Sequence, residues 1–271
     1  MSYSTSAIRT QDKRNNVGKI YRQANDFIDA IYKNIDFNNK EVLSVLASSD
    51  QMIASYYYGA KNVDVFDRNL RSLYYYYFRR WLVNSSTESY PYFQSKLNIK
   101  DYTNMVRKVY PKSVYEAMAK KFWITALTSK FNPDNYFEYS PYYLNNEFQD
   151  DYSFIKKVLN KDINYVDIDM FGNIDTNKKY DIVVISNMLE YLEGNKQDLL
   201  KVRSNLSELL KDNGQIVCSY VSSDSESPLF IEEKKIMTMS NLVYDGNYEY
   251  HDELLDKTYD AGYSYTKKRT K

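Results

Sequence analysis

Glu41–Asn69, EVLSVLASSDQMIASYYYGAKNVDVFDRN, is the stretch on which the fold of this chain turns. Val42–Leu46 is a short, nearly continuous apolar run, the pattern of a strand buried on both faces of a parallel sheet. It stops at Ala47-Ser48-Ser49-Asp50, small and polar residues that turn a chain and cap a helix. Gln51–Tyr58 reads as a short helix closed by Gly59, and Val63–Phe66 as a second strand with Asp67 at its tip. The unit is β-α-β, with a right-handed crossover. In open α/β sheets, ligands bind beyond the carboxyl ends of the strands, where the Ser-Ser-Asp turn and Asp67 both fall. An acid at the end of the second strand suits the hydroxyls of a ribose. The stretch therefore points to a nucleoside-containing cofactor.

Working outward, residues 1–16 are polar, and Val17–Ile35 carries apolar residues at helical spacing (Ile20, Tyr21, Ala24, Phe27, Ile28, Ile31). This predicts residues 1–40 as an N-terminal helical extension to an α/β domain spanning 41–271. Arg68–Val83 reads as a long helix after the second strand. From about 85 to 160 strand alternation is absent and prolines (Pro91, Pro111, Pro133, Pro141) separate helical stretches. The clearest of these is Ser113–Ser129, with Ser113 and Glu116 in capping-box spacing. We expect a helical insertion covering the carboxyl edge of the sheet, its aromatics (Trp123, Phe131, Tyr136, Phe137, Tyr139, Tyr142, Tyr143) walling an acceptor pocket. Strands resume at Asn164–Ile168, Tyr180–Ser186 and Gln215–Val221, the last preceded by the helix Leu199–Leu210 and a Lys-Asp-Asn-Gly turn. A helix over Asp252–Ala261 and a strand over Tyr263–Lys267 complete the expected order.

Composition narrows the function. The chain has 271 residues, enough for a sizeable core, and 36 basic against 36 acidic side chains, so no basic excess calls for a nucleic-acid partner. Its 30 tyrosines, with abundant Asn and Lys, match the usage of an AT-rich genome rather than a tyrosine-based function. One cysteine, Cys218, and one histidine, His251, exclude an intramolecular disulfide, a His/Cys metal cluster and a Cys-His pair. No apolar core of signal-peptide length opens the sequence and no run reaches the roughly 20 apolar residues of a membrane span. A cytoplasmic protein without a transmembrane segment or a bound metal is expected.

The order of elements resembles the class I S-adenosylmethionine-dependent methyltransferases. KYDIVVISNMLEYLEG and LLKVRSNLSELLKDNGQIVCSYV look like that superfamily's fourth strand, the following helix, its turn and fifth strand. VLSVLASSDQMIASYYYGAKNVDVFDRN and VVISNMLEYL are similar, more narrowly, to the 3-amino-3-carboxypropyl transferases of betaine-lipid synthesis and their uncharacterised relatives, which use a Ser/Gly-Asp turn in place of G-x-G-x-G. The resemblance covers about residues 41–84 and 160–221. It implies a Rossmann-like methyltransferase sheet with helices on both faces, and S-adenosylmethionine as cofactor. It further implies Ala47, Ser48, Ser49 and Asp50 at the methionine end, with Asp50 on the amino group, and Asp67 with Arg68 at the ribose. Asp169 and Met170 then flank the adenine and Asn187 faces the reacting end. Glu190 and Tyr191, with Tyr142 and Tyr143 from the aromatic insertion rather than from the resemblance, are expected to meet a small-molecule or lipid acceptor.

The sequence departs from the family in having no glycine between Lys19 and Tyr58, where close backbone approach to the methionine portion is made. Each assignment also has a plainer counterpart: Ser48–Asp50 and Asp67 as helix caps, Asp169 as turn chemistry, Asn187, Glu190 and Tyr191 as helix-start residues. Two functions follow. One is an S-adenosylmethionine-dependent transferase moving a methyl or 3-amino-3-carboxypropyl group, which needs alignment and exclusion of water rather than a His/Cys set. The other is a non-catalytic binding or scaffold protein on a degenerate methyltransferase fold. A nicotinamide dehydrogenase is disfavoured by the missing G-x-G-x-x-G.

Overall fold

The computed structural model describes residues 19–24, 26–85, 91–93, 99–138, 146–172, 174, 176–189, 192, 195–219, 228–238, 241–252 and 257–269. The chain opens with β1 (Ile20–Tyr21), α1 (Ile28–Tyr32), β2 (Glu41–Val45), α2 (Asp50–Tyr57), β3 (Asn62–Phe66) and α3 (Leu70–Leu82). It continues through α4 (Ile99–Lys108), α5 (Val114–Thr128), β4 (Phe137–Glu138), α6 (Tyr152–Leu159) and β5 (Asn164–Tyr165). The last part holds β6 (Tyr180–Ser186), α7 (Lys196–Leu209), β7 (Leu210–Ser219), α8 (Pro228–Met237), β8 (Leu242–Asp252) and β9 (Lys257–Lys267).

Seven strands form one sheet in the order β5-β3-β2-β6-β7-β9-β8. As the first β-α-β reading requires, β2 lies parallel to β3 and to β6, with Val42 opposite both Val63 and Ile182. β5 and β7 extend the parallel set outward, and β9 runs antiparallel to β7. Alternation along each strand sends side chains to two separate cores. Val42, Ile182, Val184 and Val217 pack with α1, α2, α3, α5 and α6, while Leu43, Val183, Ile185 and Ile216 pack with α7 and α8.

Local chemistry sets the helix ends. Gly59, at φ 102, closes the turn after α2 in the left-handed region that favours glycine. Asn69 caps α3 by accepting from Arg71 N at 3.1 Å. Ser113 Oγ accepts from Glu116 N at 3.1 Å, while Glu116 reaches past the cap to Lys112 N (2.6 Å) and to Trp81 Nε1 (3.0 Å), so the expected box also pins α5 to α3.

Three elements differ from the sequence reading. The helix expected over Val17–Ile35 is confined to Ile28–Tyr32, because Ile20 and Tyr21 pair in parallel with Phe137 and Glu138. Long-range pairing overrides local periodicity there. The helix expected over Asp252–Ala261 is a β-hairpin, in which β8 and β9 pair from Leu242 opposite Lys267 to Asp252 opposite Lys257. The Tyr- and Thr-rich alternation of TYDAGYSYTK suits a strand. The Lys211–Gly214 turn lies inside β7, not before it: Tyr180 faces Leu210 and Ile182 faces Gln215, with Asn213 at φ 62 in between.

The insertion also behaves differently. α4 and α5 pack against α3, and Phe78, Phe93, Trp123 and Phe137 form one buried aromatic layer with ring centroids 4.6–6.2 Å apart. Phe131 stacks on Tyr136 at 5.1 Å beside that layer. These rings form a satellite core behind α3, and none of them lines the cleft described below. Tyr139, Tyr142 and Tyr143 lie outside the described residues. Buried tyrosines mostly serve packing: Tyr75 donates to Arg22 O (2.8 Å) and Tyr76 to Lys161 O (3.0 Å), satisfying their hydroxyls against backbone.

Candidate functional site

A cleft of about 580 Å³ opens at the carboxyl ends of β2, β3 and β6. The size is that of a small-molecule or cofactor site, and the position is where an open α/β sheet binds its ligand. Ala47 and Ser48 from the first turn, Asp67 and Arg68 after β3, Asp169 and Met170 after β5, and Asn187 after β6 all line it. Seven of the nine proposed cofactor-binding residues therefore meet at one place.

The first turn shows how a glycine-free sequence makes the bend. Ala47 and Ser49 sit at φ 41 and φ 79, a left-handed conformation that costs non-glycine residues about 1–2 kcal/mol each. Ser49 is the N-cap of α2 by position, yet its side chain makes no cap bond, and its buried Oγ has no hydrogen-bond partner among the described residues. Capping is thus not what holds the turn. Asp67 contributes: its Oδ2 accepts from Ala47 N at 2.8 Å and its Oδ1 from Asn69 N at 2.7 Å, tying the ends of β2 and β3 together. Burial raises the Asp67 carboxyl above its ordinary value, opposed by those two N–H donors and by Ser72.

Asp50 does not reach the cleft, which corrects the amino-group role expected for it. Its side chain is fully buried against Arg79, Nη1 to Oδ1 2.9 Å, and also accepts from Tyr92 OH (2.9 Å), Ala24 N (2.7 Å) and Ser48 Oγ (3.0 Å). Arg79 donates onward to Ser48 O and to Pro91 O (3.0 Å), and its guanidinium lies 4.1 Å from the Tyr92 ring centroid. Burial disfavours the Arg79 charge, but the Asp50 carboxylate, together with the Tyr92 and Tyr75 hydroxyls, outweighs it, and the Arg79 pKa is raised. The Asp50–Arg79 pair thus fastens the first turn, the Ala24 region and the Pro91 segment to α3. Ser49 likewise stays beneath the surface and does not line the cleft.

At the other end, Ile168, Met170, Phe171 and Met188 give the cleft apolar walls, and the Arg68 guanidinium sits 5.6 Å from the Phe171 ring centroid. Asp169 spends one oxygen on Phe171 N at 3.0 Å, the turn chemistry expected of it, while still facing the cleft. Glu190 and Tyr191 lie outside the described residues.

Sequence reasoning missed several contributors. Ile20, Tyr21 and Ala24 line the cleft from the segment read as helix, and Glu138 joins them through its pairing with Tyr21. Gln51 and Ser186 form part of the floor, Ser186 at φ 50 where β6 breaks register with β7. Asp26, just before α1, is buried beneath them and is taken up below.

Sheet order, the antiparallel strand second from one edge and a cleft over the carboxyl ends of the parallel set make this a Rossmann-like α/β fold with helices on both faces of the sheet. Solved structures with a similar course include the N-methyltransferase NodS from Bradyrhizobium japonicum WM9 in complex with S-adenosyl-L-homocysteine, at 9% identity over 96% of this chain and 98% of that one (TM-score 0.44). A methyltransferase from Pyrococcus furiosus matches at 7% identity over 88% and 80% (TM-score 0.42). The ribosomal protein L11 methylase from Lactobacillus delbrueckii subsp. bulgaricus matches at 14% over 89% and 75% (TM-score 0.38). No family model and no curated protein matches the chain. Among the described residues no helix is long and apolar enough to cross a membrane.

Proposed function

We propose that this chain is an S-adenosylmethionine-dependent transferase acting on a small-molecule or lipid acceptor. The observation that carries the reading is the position of Asp67: an acid at the tip of the second strand, lining a cleft whose opposite walls are apolar and whose floor is the bent first turn. The donor set fits such a cofactor. Asp67 accepts two backbone N–H groups and a bond from Ser72, and a carboxylate has about four lone-pair sites, so some acceptor capacity remains for a ribose hydroxyl. Ile168, Met170 and Met188 are suited to hold an adenine ring by its faces, and Asn187 stands beside the floor, where the methionine end would lie.

When bound, the cofactor supplies an activated carbon on a sulfonium. The protein's own part is to align and to keep water out. The Ile20–Tyr21 segment, paired to Phe137–Glu138, walls the cleft on one side and serves that exclusion. The main support for a non-catalytic scaffold was the absence of motif glycines. That support weakens, because Ala47 and Ser49 hold glycine-like angles at a strain no scaffold role requires.

A thermal-shift series tests the proposal. S-adenosylmethionine and S-adenosylhomocysteine should raise the melting temperature, by the equivalent of about 2.7 kcal/mol at a hundred times Kd, and NAD should not. Asp67→Ala should weaken S-adenosylhomocysteine binding by about 1.5–3 kcal/mol, with Asp67→Asn intermediate because it keeps one acceptor for Ala47 N. No shift with either S-adenosyl compound would refute the cofactor assignment. Product mass then separates methyl from 3-amino-3-carboxypropyl transfer.

A further inference from the structure

Beneath the floor of the cleft four polar side chains converge. Asp26 Oδ2 accepts from Ser186 Oγ (2.6 Å), Ser219 Oγ (2.9 Å) and Gln51 Nε2 (2.9 Å). The two serines stand at the ends of β6 and β7, and Gln51 in the first turn of α2, so one carboxylate gathers three elements at the carboxyl edge. All four residues are at least nine-tenths buried: Asp26 is 2% exposed, Gln51 4%, Ser219 5% and Ser186 8%.

The orientation of the Gln51 amide follows. Its nitrogen must face the Asp26 carboxylate, since an oxygen there would repel it, so Oε1 points away from Asp26. That oxygen is buried and has no hydrogen-bond partner among the described residues, while Gln51 itself lines the cleft. An unsatisfied buried acceptor costs about 1–3 kcal/mol, and such exceptions call for an explanation. Donation from Nε2 to a carboxylate also polarises the amide and makes Oε1 a better acceptor. The complementary ligand group is an N–H donor, and the carboxylate behind Gln51 favours a cationic one.

We propose that Gln51 Oε1, held and polarised by Asp26, is an ammonium subsite at the floor of the cleft. The inference rests on the cofactor reading above. It gives Gln51 the recognition that the sequence suggested for Asp50, whose carboxylate is committed to Arg79. The ammonium has two possible sources: the amino-acid end of the cofactor, or an amine acceptor.

Calorimetric titration of wild type and Gln51→Met decides between them. Met keeps the length of the side chain and removes both amide atoms. The probes are S-adenosylhomocysteine, 5′-methylthioadenosine, which lacks the amino-acid group, and methylammonium added to protein saturated with S-adenosylhomocysteine. If the cofactor supplies the ammonium, Gln51→Met weakens S-adenosylhomocysteine binding about 10- to 100-fold and leaves 5′-methylthioadenosine within about twofold, the scale of a charge-assisted hydrogen bond. If an acceptor supplies it, both nucleosides bind unchanged and methylammonium binding is lost in the variant. Ser219→Ala, which loosens Asp26 without touching the cleft, should give a smaller loss in the same arm. The proposal is overturned if no affinity moves, or if both nucleosides weaken equally, which marks a general collapse of the cleft. A wild type that binds neither nucleoside would refute the cofactor reading instead. The subsite would then rest on direct methylammonium titration of the free protein, and absence of binding there would overturn it too.

Discussion

Removing Arg79 is the most exacting test of how the site is held. Arg79 and Asp50 are both fully buried and 2.9 Å apart, so Arg79→Met leaves a carboxylate with no water to receive it. Breaking a buried pair from one side costs about 3–5 kcal/mol. Asp50 keeps Tyr92 OH, Ala24 N and Ser48 Oγ as donors, which argues for the lower half of that range. Against this, Ser48 O and Pro91 O each lose a donor, at about 1 kcal/mol apiece. The expected loss is therefore about 4 kcal/mol, a large share of the 5–15 kcal/mol typical of a folded domain. Equilibrium urea unfolding measures it. Asp50→Asn combined with Arg79→Met removes both charges, and should be less destabilised than the sum of the single variants by about 1–3 kcal/mol. A single-variant loss below about 1 kcal/mol, or strict additivity in the double variant, would refute the idea that this pair fastens the first turn.

Ser49→Gly should stabilise the fold by about 1 kcal/mol, because it relieves a φ of 79 and removes a buried hydroxyl without a partner, partly offset by a freer unfolded chain. Ser49→Ala separates the two effects, since it removes only the hydroxyl, and a Gly variant no more stable than Ala would deny the strain. Gly262→Ala places a Cβ 2.3 Å from Cys218 O and 2.6 Å from Ile31 Cδ1, both across packed interfaces. A loss of about 3 kcal/mol or more in thermal unfolding is expected, and a silent substitution would mean that β7, β9 and α1 are less tightly joined than described.

The parallel half of the sheet was legible because its strands are apolar on both faces and their turns carry small polar residues. Val42–Leu46 and Tyr180–Ser186 announce themselves without any partner. The antiparallel hairpin was less so, since its strands mix charged residues and glycine among the tyrosines and lack a continuous apolar run. Position along a strand sufficed to bring Ala47, Asp67, Asp169 and Asn187 to the cleft. It failed for Asp50, whose fate depends on Arg79 some thirty residues away, a pairing that no local pattern encodes. Gln51 was hidden for the same reason: only the convergence of Asp26, Ser186 and Ser219 gives its amide a direction. The β1–β4 pairing, two residues on each side, is too short to leave a periodic trace.

Cys218 turns the seam of the sheet into a built-in reporter. It is the chain's single thiol, buried in β7 opposite Tyr263 of β9, with burial holding its pKa well above the ordinary value. Its side chain is packed in the core beneath α8, so a thiol reagent can modify it only when α8 and the β7–β9 seam open or the whole domain unfolds. Labelling rates of the unaltered protein therefore read the opening free energy of this seam directly. Slower labelling in the presence of an S-adenosyl compound would show that filling the cleft on one side of the sheet also steadies the antiparallel edge on the other.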